Sequence, residues 1–135
     1  MFNAHFFNKW TPYLLGLLRI ITGFLFLQHG SAKLFGIPNI AMFDGLQLIS
    51  LMGLAGILEL VGGTLILIGL FTRPTAFVLS GQMAVAYFMA HASNGFLPIL
   101  NQGELAVLYS FVFLYFSVAG AGAFSVDGML KKAKY

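Results

Sequence analysis

Apolar residues run along this chain in four long stretches separated by short polar or glycine- and proline-containing breaks. A helix that crosses a bilayer needs about 20 mainly apolar residues. The stretches at about 13–35, 49–71, 74–92 and 103–121 meet that length. Gly36 and Pro38 stop the first. Thr72-Arg73-Pro74 divides the second from the third, because the residue before a proline is biased away from helix and proline suits a first helical turn. Ser93-Asn94-Gly95 and Pro98 end the third, and Asn101 is placed to cap the fourth. Beyond Phe124, Ser125 as cap, Asp127 in the first turn and lysines at the end predict a short surface helix over 125–134. The expected fold class is an all-α membrane protein, a four-transmembrane-helix bundle in one domain over 1–135. Arg19 inside the first stretch, and the three stretches that follow it, argue for an uncleaved first helix.

Glycine spacing suggests how these helices meet. Gly16, Gly23 and Gly30 recur every seven residues and so line one seam of the first helix. Gly56 with Gly63, and Gly62 with Gly69, repeat the interval in the second. Small residues at such positions let backbones approach where no hydrophobic force acts between helices.

Composition strengthens the membrane reading. Hydrophobic residues make up 59% and charged residues 8%, against roughly a quarter charged in a soluble domain. Mean hydropathy is +0.91. The net charge of +3 is no nucleic-acid signature, since the basic residues fall at the ends of apolar stretches. They report topology instead. Lys9, Arg73, Lys131, Lys132 and Lys134 share one side of an alternately crossing bundle and Lys33 stands alone on the other, which predicts cytoplasmic N and C termini. The chain has no cysteine, so thiolate nucleophiles, persulfide carriers and cysteine-ligated clusters are excluded within it.

Against this apolar background the polar exceptions stand out. Glu59 lies at the centre of the second stretch, where a carboxylate costs at least about 2.5–3.5 kcal/mol on insertion scales and normally faces a bundle interior or cavity. With about 1.5 Å of rise per residue and the centres of the helices aligned, Arg19 falls about 7 Å to the inner side of the midplane and His29 about 7 Å to the outer side. Lys33 sits one turn above His29, Gln82 reaches the midplane of the third helix, and Tyr87, His91 and Glu104 lie toward the outer end. Glu59 and Gln82 are thus expected to form a polar floor. His29, Lys33, Tyr87, His91 and Glu104 would line walls opening to the periplasmic side.

Each of these side chains also has a plainer reading. Arg19 either pairs with Glu59 or snorkels to inner headgroups. Lys33 suits an interface anchor, Gln82 interhelical glue, and Glu104 the capping box that its spacing from Asn101 allows. His29 and Glu59 reach headgroups less easily and are the best catalytic candidates. Lys33, Gln82, Tyr87, His91 and Glu104 are ligand-binding candidates, and Arg19 and Arg73 are structural or topological. A histidine near a buried acid suits proton-coupled work such as quinone reduction or transport. No metal site is expected, because no His-x-x-x-His or Glu-x-x-His pair shares a helix.

Taken in order, Arg19, Gly23, Phe26, His29-Gly30, Lys33-Leu34 and Gly36 resemble the opening of the DoxX family of small bacterial inner-membrane proteins. The likeness continues through Gly56, Glu59 and Gly62-Gly63, and through Gly69-Leu70-Phe71-Thr72-Arg73. It goes on to His91, Gly103-Glu104, Leu108-Tyr109 and Ser125-Val126-Asp127, covering about residues 13 to 128. The family takes its name from a likeness to membrane subunits of an archaeal thiosulfate:quinone oxidoreductase, and some members are associated with redox or oxidative-stress complexes. The resemblance singles out His29, Lys33, Glu59, Arg73, His91 and Glu104. Beside that redox association, the hydrogen-bonding groups of His29, Glu59, Gln82 and Tyr87 suit a quinone headgroup, so the expectation is a redox-associated subunit that binds quinone, with no covalent cofactor, working in the bilayer beside a soluble or membrane oxidoreductase partner. The alternatives are a non-catalytic scaffold or assembly factor, or a small proton-coupled carrier, for which a homo-oligomer would supply the missing bulk.

Overall fold

The structure, a computed structural model, describes residues 3–134. Among them every regular element is helical: α1 (Ala4–Phe35), α2 (Leu51–Ile68), α3 (Thr72–Ala90), the single turn α4 (Pro98–Asn101), α5 (Glu104–Ala119) and α6 (Val126–Lys132). The helix limits differ from the sequence expectation for local reasons. Asn3 accepts from the His5 N–H and caps α1, so the helix begins nine residues early and carries Pro12 within it. Ser50 caps α2 through the Gly53 N–H, and Gly69 ends it in the left-handed conformation that glycine adopts without strain. The break between α2 and α3 therefore falls at 69–71, and Pro74 sits inside the first turn of α3. The fourth long helix opens on Gly103 rather than on Asn101, which instead closes α4.

The four long helices share one core. Phe26 of α1, Ile66 of α2, Ala76 and Leu79 of α3, and Tyr109, Phe113 and Phe116 of α5 are buried together. Outside it the pattern inverts that of a soluble protein. Ile21, Leu54, Phe77 and Phe111 are exposed, while Arg19, Thr22, Glu59 and Ser80 are buried. Such a surface suits lipid, and α1 and α2 are long and apolar enough to cross a membrane by length and composition.

The glycine seam brings α1 and α2 into backbone contact. A Cβ on Gly23 would lie 2.5 Å from the Leu67 nitrogen, and one on Gly30 only 2.3 Å from that of Leu60. These contacts also fix the register. Glu59 lies beside Gly30, six residues or about 9 Å beyond the level of Phe24 where aligned helix centres would place it. On the other side of the core, α3 and α5 are joined by reciprocal bonds. Ser80 Oγ donates to the Ser110 carbonyl at 2.7 Å and Ser110 Oγ to that of Ser80 at 3.0 Å.

Candidate functional site

The register shift decides what Glu59 meets. Lys33, in the last turn of α1, donates from Nζ to both carboxylate oxygens of Glu59 at 2.7 Å. Their side chains are 10% and 6% exposed. Gly56 leaves room for the lysine stem, since a Cβ there would sit 3.1 Å from that of Lys33. Lys33 is thus no interface anchor, and neither Arg19 nor His29 is the partner of Glu59. The ammonium also lies 5.4 Å from the centre of the Phe43 ring, in the connection between α1 and α2.

Gln82 of α3 completes the group, with Nε2 donating to Glu59 Oε1 at 3.3 Å and to the Ala55 carbonyl at 3.4 Å. Its Oε1 is buried without a hydrogen-bond partner. One turn before Lys33, the half-buried His29 ring stands edge-on to Tyr109, with centroids 6.3 Å apart. Among the described residues that imidazole makes no hydrogen bond. The group therefore pairs a neutralised ion pair with an unused acceptor and an unused imidazole, an arrangement able to hold a small molecule that both donates and accepts.

Tyr87 and His91 belong to a second group, organised by Asn101, which the sequence marks only as a helix cap. Asn101 is buried. Its Nδ2 donates to Tyr87 Oη at 3.1 Å and to the Gly95 carbonyl at 2.9 Å, and its Oδ1 accepts the Gly103 N–H at 2.8 Å. His91 Nδ1 donates to the Asn101 carbonyl at 3.0 Å, and its ring stacks on Tyr87. These side chains hold the 91–103 connection to the end of α3. Glu104 opens α5 and is exposed. Among the described residues no hydrogen bond joins these side chains to the Lys33–Glu59–Gln82 group.

Arg19 forms a third. It is fully buried and gives every guanidinium nitrogen to main-chain carbonyls. Nε bonds Ala121 at 2.7 Å. Nη1 bonds Ile66 at 2.7 Å and Leu67 at 2.6 Å. Nη2 bonds Ala123 at 3.1 Å and Phe124 at 2.8 Å. It neither snorkels nor pairs with Glu59. It ties the end of α2 to the 120–124 connection, and the planar five-donor fork of arginine suits that task. At the same end Arg73 donates to the Val118 carbonyl, closing the C-terminal end of α5. Asp127 accepts the Phe71 and Thr72 N–H groups at 2.9 Å each. A cavity of about 490 Å³ opens here, lined by Arg73, Gly120, Asp127 and Lys131 among others. A second, of about 250 Å³, lies between α1 and Tyr115. Both are away from the Glu59 group.

Comparison with known proteins follows the same lines. Residues 14–92 match the family model described as DoxX. The chain is 46% identical over 130 residues to a Haemophilus influenzae protein named "Uncharacterized protein", covering 93% of this chain and 96% of that one. It is 30% identical over 123 residues to Inner membrane protein YqjF of Escherichia coli, covering 84% and 89%. It is 29% identical over 120 residues to the Bacillus subtilis protein named "Putative oxidoreductase CatD", covering 87% of each. No solved structure matches.

Proposed function

The chain belongs to the DoxX family of membrane proteins, and from that premise we propose that it is a redox-associated inner-membrane subunit that binds a quinone or similar small carbonyl compound at Lys33, Glu59, Gln82 and His29. The observation that carries this reading is the unspent hydrogen-bonding capacity of the group. Gln82 Oε1 is buried without a partner, and the His29 imidazole, one turn before Lys33 on α1 and edge-on to Tyr109, makes no hydrogen bond among the described residues. A relative bearing an oxidoreductase name is in keeping with it.

A bound quinone would supply two-electron, two-proton chemistry, with the electrons coming from a partner oxidoreductase. Lys33 Nζ and a His29 N–H would then hold carbonyl oxygens, the Glu59 carboxylate would accept a proton before passing it on once a ligand competes for its lysine, and Gln82 Oε1 would accept from a hydroxyl. In the same reading the four long helices of a single domain cross the membrane, with both termini cytoplasmic. The one lysine at the opposite end, Lys33, is already neutralised by Glu59.

Two observations favour the scaffold reading as the second choice. Lys33 and Glu59 satisfy each other, as a register-fixing pair would, and neither described cavity touches them. Purification in lipid nanodiscs, followed by extraction and mass spectrometry of bound quinone, separates the two. Stoichiometric quinone in the wild type, lost from folded Glu59→Gln and His29→Ala, is the expected result. No quinone above the lipid background in the wild type overturns the proposal. The scaffold then predicts that both variants lower folded yield and leave any redox readout per folded molecule unchanged.

A further inference from the structure

The 91–103 connection is unlike a loop that stands in water. Phe96 is 92% exposed and Leu100 73%, with Leu97 and Ile99 also bare, and residues 92–103 carry no charge. Part of its backbone is paired within the protein, while the Phe96, Leu97 and Ile99 N–H groups are left to the surroundings. The Asn94, Leu100 and Asn101 N–H groups bond to carbonyls of His91 and Leu97, Pro98 has no N–H to satisfy, and Asn101 takes the Gly95 carbonyl and the Gly103 N–H. Water would serve these groups without help. Hydrocarbon would not, and irregular backbone survives at membrane depth only where the protein pairs it.

Helix length points the same way. The 16 residues of α5 span about 24 Å, short of the roughly 30 Å hydrocarbon core. The missing length falls where α4 and its apolar side chains lie. The bare residues thus continue the apolar outer surface of α3 and α5, the surface that faces lipid in a membrane protein.

We propose that the 91–103 connection is a lipid-embedded segment, with the side chains of Phe96, Leu97, Ile99 and Leu100 inserted at the headgroup–acyl boundary of the outer leaflet, where water still reaches the unpaired N–H groups of residues 96, 97 and 99 while Asn101 pairs Gly95 and Gly103. It rests on the membrane crossing of α5 proposed above and is independent of quinone. It also gives the Tyr87–Asn101–His91 group its task, which is to make a non-helical segment tolerable in lipid.

The test places a single tryptophan in a Trp10→Phe background, by Ile99→Trp or Phe96→Trp, both at exposed positions where no packing is disturbed. The protein is reconstituted in phosphatidylcholine vesicles with brominated acyl chains, and aqueous iodide is the competing quencher. The expected result is loss of most of the emission in brominated lipid and little loss to iodide. Strong iodide quenching with no response to bromine overturns the proposal. So does protection from both, which would mean a protein contact such as a second copy. Phe111→Trp, mid-way along α5 and exposed, is the control. Bromine quenching there with an aqueous Ile99→Trp sinks only the embedded segment, whereas no quenching at Phe111→Trp sinks the crossing itself.

Discussion

Lys33 Nζ lies 2.7 Å from both carboxylate oxygens of Glu59, joining the last turn of α1 to the middle of α2. Two charges so little exposed hold each other in place, and removing one leaves the other uncompensated. We expect Lys33→Met or Glu59→Leu alone to destabilise the protein by about 3–5 kcal/mol, and the double substitution to recover most of that loss. Reversible unfolding in mixed micelles measures the cycle. Single variants with wild-type stability would remove the pair from any account of the fold.

The seam between α1 and α2 predicts an opposite response at two glycines. A Cβ on Gly30 would lie 2.3 Å from the Leu60 nitrogen and 2.7 Å from the Gly56 carbonyl oxygen, both main-chain atoms. Gly30→Ala should therefore force the helices apart and cost about 1–3 kcal/mol or more. Around Gly81, in α3, a Cβ meets nothing within 4 Å. There Gly81→Ala should stabilise by up to about 1 kcal/mol, because alanine loses less backbone freedom in a helix. Equal effects in a thermal-unfolding comparison would contradict the packing described.

The helical class and the close approach at Gly23 and Gly30 were legible in the sequence, because apolar length and small-residue spacing are local properties. The partner of Glu59 was not. Aligning helix centres left Lys33 stranded above it, whereas the actual offset is set by tertiary contacts at Gly30 and Leu60 that no single stretch encodes. Arg19 escaped for another reason. Its partners are main-chain carbonyls from residues 66 to 124, and carbonyls leave no signature in a sequence. Asn101 was visible as a cap, but its contact with Tyr87 depends on how the 91–103 connection folds back.

At the other end of the molecule, Asp127 does the work of an N-cap from a distant part of the chain. Its two oxygens accept the Phe71 and Thr72 N–H groups, and its own N–H donates to the Gly69 carbonyl at 2.8 Å. Asp127→Ala should cost about 1–2 kcal/mol, within the range for losing a helix cap. Asp127→Asn, which keeps an acceptor but gives up the charge at the start of α3, should cost less, about 0.3–1 kcal/mol. Chemical denaturation of the two variants beside the wild type gives the order, and an asparagine variant worse than the alanine one would refute the capping role.

Arg19 offers the sharpest distinction, between charge and geometry. Five hydrogen bonds to carbonyls of Ile66, Leu67, Ala121, Ala123 and Phe124 need a planar group with donors on all its nitrogens. Lysine keeps the charge but has three donors on one atom, so Arg19→Lys should fail nearly as badly as Arg19→Met, each losing more than about 4 kcal/mol. The damage should be local before it is global. The Ala123 N–H bonds to the Pro12 carbonyl at 2.8 Å, and the Asp127 N–H to that of Gly69, so both amides should lose protection in hydrogen exchange when the clamp is weakened. A lysine variant with wild-type exchange at these two amides would show that the buried charge matters and the fork does not.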